Sequence, residues 1–386
     1  MNDLLDILEK TNKIYVFGAA SRAKTIKGYM NMLFPGLEIT GYLVDDEEEN
    51  DSQIAGAPVI HLARASGENL ASLQTKAPVI IATKGIFHER IEALLVSLGF
   101  ESIIPVSVDV DNCLRNAYVR KAFEKEGREF VKLEDLVPKQ PEHDMESDML
   151  QKGIGEMPDA CIYMAKSIYD KELETPYTIP HYEKAIQVGA ALTDQRLGDD
   201  ILTDDRGENI SAKNRQYCET TGMYWVWKNC RHDYVGFSHY RRHFVLRKDW
   251  VDIMRQHDID AVVPVPTYLY PSVGENYKER HLPEDWDFFM KYLKENEAEA
   301  YHKAMEIFGG NLFLPGNMFI AKWKVFDEFC RWAFPILDAI GANGGHKEDG
   351  YLNRYVAFIS ERLVTLFFAL HEKQYKIVYA DRRFLR

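Results

Sequence analysis

A short apolar run at residues 234–238, YVGFS, is followed at once by His239, Tyr240, Arg241 and Arg242. Two guanidinium forks beside an imidazole and a phenol make an anion receptor. Arginine stays charged at any working pH, and its planar donors match phosphate oxygens in pairs. If the run is a strand, the receptor lies at its carboxyl end, where α/β sheets bind their ligands. The diphosphate of an activated donor fits such a place, and Lys228, upstream, adds a further cation to the set. An arginine pair tied to surface acids is the bland alternative. For His239 two readings stand side by side: it helps hold a divalent ion, Mn or Mg, or the arginines replace a metal outright.

Group transfer to a hydroxyl with inversion at the reacting centre also needs a base, and a carboxylate in a cleft is the usual choice. The candidates are Glu219, Glu348, Asp349 and Glu361. Glu348 and Asp349 belong to the glycine-rich stretch GANGGHKEDG, residues 341–350, which can close over a ligand or remain a solvated loop. Glu361 and Arg362 open an apolar stretch and read as a buried ion pair holding the last helix. A D-x-D at Asp258 and Asp260 precedes the apolar run at residues 261–265 and so sits at the wrong end of a strand for a metal motif. Tyr268 and Tyr270, interleaved with prolines, offer aromatic faces that suit the apolar face of an acceptor sugar or a core, and Asn317 an amide that bonds a sugar hydroxyl or shapes the turn.

These residues must be positioned by alternating strands and helices. Residues 161–165, CIYMA, read as a strand, and Ala165 and Lys166 at its end, with Asn214, are the nucleotide-binding candidates. Ser211 is placed to cap a helix carrying Tyr217, Thr221, Tyr224 and Trp225 on one face. Further forward, residues 13–18, 39–44, 78–82 and 102–105 read as strands separated by helical patterns, which predicts a doubly wound parallel sheet. Its first turn, from Gly18 to Ala23, departs from G-x-G-x-x-G/A at Ala20, whose methyl crowds a pyrophosphate. Asp45 stands where an acid would hold a ribose. The stretch GYLVDDEEENDSQIAGAPVI, which includes Asp46, resembles the small Rossmann-like domain at the front of several sugar-modifying and polysaccharide-assembly proteins.

The expected organisation is α/β throughout: a Rossmann-like domain over residues 1–125, a polar linker over 126–159, and a second α/β domain over 160–386. The chain has 386 residues, 46% of them hydrophobic, enough for two globular cores. A net charge of −13 disfavours nucleic acid as a partner. Five dispersed cysteines give neither a disulfide framework nor a zinc knuckle. The start, MNDLLDILEKTNK, lacks a secretory pattern, and no apolar run approaches the roughly 18 residues that span a bilayer. A cytoplasmic protein with at most peripheral contact at the inner membrane face is expected.

One further pattern runs from Val188 to Leu363. It comprises Val188-Gly-Ala-Ala-Leu192, Asn209-Ile-Ser211, Asn214, Tyr217-Cys-Glu219, Thr221, Tyr224-Trp-Val-Trp-Lys-Asn229, Asp233-Tyr-Val-Gly236, His239-Tyr-Arg-Arg242, Phe244, Asn317-Met-Phe-Ile320 and Glu361-Arg-Leu363. In this order it resembles the domain of unknown function 4422 family. The resemblance implies a GT-A-type glycosyltransferase of capsular or exopolysaccharide synthesis, taking a UDP-linked or similar sugar to a glycan or lipid-linked oligosaccharide acceptor. It leaves the stereochemistry and the metal open. The competing readings are a non-catalytic nucleotide- or glycan-binding regulator and an NAD-dependent sugar-modifying enzyme run by the first domain.

Overall fold

The computed structural model describes residues 2–45, 50–63, 73–137, 159–174 and 177–385. Asp46 and most of the expected linker, residues 138–158, lie outside the described residues. The chain divides into two compact units, residues 1–129 with 268–270, and residues 130–267 with 271–386.

The first unit is built on β1 (Lys13–Phe17), β2 (Glu38–Val44), β3 (Gln53–Ile54), β4 (Ala57–His61), β5 (Val79–Ile81) and β6 (Ile103–Pro105), in the order β3-β4-β2-β1-β5-β6. All neighbours are parallel except the short β3, which runs antiparallel to β4. The helices are α1 (Asn2–Glu9), α2 (Ser21–Leu33), α3 (His88–Ser97) and α4 (Val108–Lys125). Tyr15 and Phe17 of β1 turn toward Ile91 and Leu95 of α3, and α2 packs on α4, as a doubly wound sheet requires. The sequence reading has no strand at β4. Pro58 breaks the signal there, and the structure tolerates it because only the two-residue β3 lies beyond.

The second unit holds β7 (Ala160–Lys166), β8 (Glu183–Gln187), β9 (Leu202–Thr203), β10 (Tyr234–His239), β11 (Arg242–Phe244), β12 (Ala261–Pro264), β13 (Ile320–Lys322), β14 (Ile377–Ala380) and β15 (Arg382–Phe384). The main path is β14-β12-β13-β10-β7-β8-β9. Within it β13 runs antiparallel to both neighbours, while β10, β7, β8 and β9 are mutually parallel and bring their carboxyl ends to one edge. Around the sheet lie α5 (Asn214–Tyr217), α6 (Thr220–Asn229), α7 (Trp250–Gln256), α8 (Val273–Arg280), α9 (Pro283–Asn296), α10 (Ala298–Gly309), α11 (Trp323–Gly344) and α12 (Tyr355–Leu370).

Two details differ from the sequence reading. Residues 130–137 are not linker: Leu133 is buried with Trp250, Ile253 and Val378 in the core of the second unit, and Lys132 bridges to Tyr379. The helix expected from Ser211 is also broken. A 3-10 turn and the four-residue α5 end at Cys218, whose φ of 48° and ψ of −128° no helix accommodates, and α6 starts afresh after Glu219.

Candidate active site

The receptor arginines lie on a hairpin. β10 and β11 are closed by the His239–Arg242 pair, so Tyr240 and Arg241 form a two-residue turn. The turn is tied down on both sides: the Tyr240 amide donates to the carbonyl of Ala165 at 3.1 Å, and the Leu385 amide donates to the carbonyl of Arg241 at 2.8 Å. The Arg241 guanidinium lies 5.0 Å from the Tyr240 ring centroid and 5.4 Å from that of Phe384, with Arg242 5.9 Å from the latter. Among the described residues neither arginine has a carboxylate within ion-pair distance. Arg242 is exposed and Arg241 half-buried.

Behind the hairpin sits a cluster of titratable groups. The Glu219 carboxylate accepts from Asn317 Nδ2 at 2.7 Å and lies 3.9 Å from His239 Nε2. The same ring nitrogen contacts the carbonyl of Gly316, which leaves Nδ1 without a protein partner among the described residues. The His239 and Glu219 side chains are only 16% and 14% exposed. Burial lowers the pKa of His239; Glu219 opposes that shift, and Arg242 adds to it. Burial raises the pKa of Glu361, against the neighbouring Arg362, which is 3.3 Å away, with Glu219 adding to the rise. The expected Glu361–Arg362 pair is therefore present, and its acid also faces the cluster.

Two groups at this site escaped the sequence reading. Arg354 places Nε 3.1 Å from Cys218 Sγ and acts electrostatically on Glu219, Glu361, His239 and Asp170. Asp170 accepts from the Ser167 amide at 2.7 Å in the turn after β7. Burial raises its pKa, while that amide and the charges of Lys166, Arg241 and Arg354 pull it down. Lys166, Arg241, Arg242 and Arg354 thus form one cationic neighbourhood around buried acids. Local strain marks the same spot. Of the non-glycine residues with positive φ, Cys218 precedes Glu219 and Asn317 bonds to it; Ala55 and Asp258 lie elsewhere in the chain. Asn317 is fully buried, and its Oδ1 has no partner.

The remaining candidates fall in different places. Asn214 is part of a buried frame: its Nδ2 donates to the carbonyl of Cys218 at 2.7 Å and to Thr221 Oγ1 at 2.9 Å. The centre of that frame is Asp204. It accepts from the amides of Gly189 and Ala190 at 2.9 and 3.0 Å and from the hydroxyls of Ser211 and Thr221. Gly189 reaches it at φ 71°, and a Cβ there would come within 2.6 Å of Asn214. Each buried donor left unsatisfied costs roughly 1–3 kcal/mol. Asp204→Ala is accordingly expected to lower the stability of the second unit by about 3 kcal/mol, read as a drop in the midpoint of chemical denaturation. An unchanged midpoint would show that these bonds contribute no net stability.

Lys228 does not join the receptor. It sits 3.8 Å over the Trp227 ring and 3.3 Å from Glu208, at the far end of α6 from Glu219, about 13 Å away along a helix rising about 1.5 Å per residue. Glu348 and Asp349 are exposed. Asp349 Oδ1 accepts from the amides of Tyr351 and Leu352, both at 2.8 Å, and so caps the turn that leads into Arg354. Tyr268 and Tyr270 group with the first unit, where the Tyr268 ring lies 5.3 Å from that of Tyr118 and 6.1 Å from that of Tyr29. Asp258 and Asp260 are paired to Lys322.

In the first unit, Gly18 has φ 114° and Ala20 stands at the start of α2 without a side-chain cap. The Arg22 guanidinium donates to the carbonyls of Thr83 and Val106 at 3.0 and 3.1 Å, and Asp45 is bonded to Arg90. The turn and the acid expected of a dinucleotide site are both engaged internally.

An aromatic stack adjoins Arg354. His281 lies 4.1 Å from Phe358 and 5.5 Å from Tyr351, centroid to centroid. Burial, reinforced by Arg362, Arg280 and Arg354, pushes its pKa down to about 3. In the unfolded chain a histidine titrates near 6.5. Between those values the unfolded chain binds a proton that the folded chain refuses, so stability falls as the pH drops from about 6.5 toward 3. His281→Gln is expected to flatten this slope in a series of melting curves. An identical slope would remove His281 as its source.

Comparison with solved structures places the fold. The apo structure of the bifunctional glycosyltransferase WbbM matches with a TM-score of 0.50 at 24% identity, over 58% of this chain and 45% of that one. The chain thus spans less than half the length of that relative. Two proteins assigned as oxidoreductases, yvaA of Bacillus subtilis and YPO2259 of Yersinia pestis, match at 14% and 15% identity, each over 44% of this chain and 46% of the other; their TM-scores of 0.20 carry no argument. Comparison with curated proteins gave no match. Fold and site together define a two-unit α/β protein that shares its fold with part of a glycosyltransferase and carries a cationic hairpin over a buried acid–histidine cluster. The chain belongs to the DUF4422 family, the domain of unknown function 4422, whose profile matches residues 168–373.

Proposed function

We propose that the second unit is a GT-A-type glycosyltransferase that moves a sugar from a nucleotide donor, UDP-linked in the first instance, to a glycan or lipid-linked oligosaccharide acceptor in capsule or exopolysaccharide synthesis. The observation that carries the proposal is the hairpin of Arg241 and Arg242 at the carboxyl ends of β7 and β10, with Lys166 and Arg354 adding charge from neighbouring segments. When the bond between the anomeric carbon and the diphosphate breaks, the electron pair leaves with the phosphate oxygen, and fixed guanidinium donors stabilise that charge without reorganisation. Glu219 and Gly316 hold His239 in one orientation.

The acceptor proton goes to Asp349, with Glu348 beside it. Both are exposed and so open to an incoming acceptor, and two backbone amides orient the Asp349 carboxylate, whereas the Glu219 side chain is only 14% exposed. The donor set fits a metal centre poorly. Among the described residues no three His, Cys, Asp or Glu side chains converge to hold an ion. Neutralisation of the leaving group is therefore assigned to the arginines.

The test is a panel of UDP-, GDP- and dTDP-sugars incubated with the full chain, with and without Mn or Mg, following release of free nucleoside diphosphate. Turnover of one donor class, strongly reduced in Arg242→Ala, is expected. A protein that binds a nucleotide sugar but never cleaves it would be the regulator instead. Stabilisation by NAD alone would return the activity to the first unit.

A further inference from the structure

The arginine hairpin is gripped from below by a buried network that the reaction itself does not use. Glu183, the first residue of β8, is almost fully buried, as is His243, and their side chains are each 3% exposed. The Glu183 carboxylate accepts from the hydroxyl of Ser238, from the hydroxyl of Tyr177 at 3.1 Å, and faces His243 Nδ1 at 3.0 and 3.2 Å. The other ring nitrogen of His243 lies 3.2 Å from the carbonyl of Tyr240. The Tyr177 ring covers the imidazole at 4.1 Å between centroids.

The order of these contacts along the chain matters. Ser238 immediately precedes His239, and His243 immediately follows Arg242. A single carboxylate therefore holds the residues on both sides of the four-residue receptor, and through His243 it also fixes the carbonyl of the turn itself. Two long arginine side chains bind a diphosphate well only if their backbone is fixed beforehand, because any ordering on binding subtracts from affinity.

The geometry points to Glu183, acting through His243, as the positioning residue that preorganises the anion receptor. This rests on the reading of Arg241 and Arg242 as a diphosphate clamp. Glu183→Gln keeps the shape and an acceptor oxygen but removes the charge that binds both flanks. Its affinity for inorganic pyrophosphate, measured by calorimetry on the full chain at a temperature where the variant is folded, is expected to fall at least tenfold.

A double-mutant cycle separates positioning from general loosening. If Glu183 acts through the hairpin, Glu183→Gln adds little once Arg241→Ala and Arg242→Ala are both present; independent, additive losses would overturn the inference. His243→Gln serves as the second variant should Glu183→Gln fold poorly, and it is expected to reproduce the tenfold loss. If the unaltered protein binds no pyrophosphate, the clamp reading falls by its own measurement. Amide exchange over residues 239–245 then decides the present inference: at least tenfold faster exchange confined to that segment in Glu183→Gln supports it, and an unchanged rate rejects it.

Discussion

Replacing Arg241 and Arg242 together by alanine is expected to lower kcat/KM for the nucleotide sugar about a thousandfold while leaving the melting curve in place. The magnitude follows from the kind of bond removed: hydrogen bonds to charged groups contribute roughly 1.5–3 kcal/mol each, and losing a preorganised donor at a developing negative charge costs about two to three orders of magnitude in rate. Stability should hold because Arg242 is exposed and Arg241 half-buried, and their contacts are ring faces rather than a core. Such surface changes usually shift stability by no more than about 0.5 kcal/mol. Lysine at both positions restores the charge without the planar fork, so recovery should be partial. Full activity in the alanine double variant would dismiss the clamp.

The second large effect is expected at Asp349. Asparagine there keeps an oxygen to accept from the amides of Tyr351 and Leu352, so the turn into Arg354 survives, but it cannot take a proton. General-base catalysis contributes about two to four orders of magnitude, and kcat should drop by about that much with donor affinity unchanged. Glu348→Gln, one residue away and equally exposed, is the control and should be milder. An active Asp349→Asn protein alongside an inactive Glu219→Gln one would move the base to the buried cluster.

What could be read in advance followed from local pattern. A charged tetrad directly after an apolar run announces a strand end, and the hairpin stands where that reading put it. The alternation of strands and helices gave the α/β class in both units. What escaped is what depends on distant segments meeting. Arg354 arrives from the start of α12, and nothing in its own neighbourhood shows that it faces Cys218. Lys228 sits close to the tetrad in sequence, yet helical rise carries it away. Asn214 has the side chain of a ligand-binding residue, but its amide is spent inside the fold, because a buried Asp204 organises the loop around it. Tyr268 and Tyr270 carry a sound aromatic signal, and a sequence does not say onto which unit a loop packs.

The conformation of Cys218 sets two selective pressures against each other. Its φ and ψ lie where only glycine is comfortable, at a cost of order 1–3 kcal/mol for any other side chain. Glycine at that position would relieve the backbone, yet it would remove the thiol beside Arg354 and loosen the entry to Glu219. A laboratory population screened for heat tolerance alone should therefore accept Cys218→Gly readily, and its survivors should be hardier and slower catalysts than the parent.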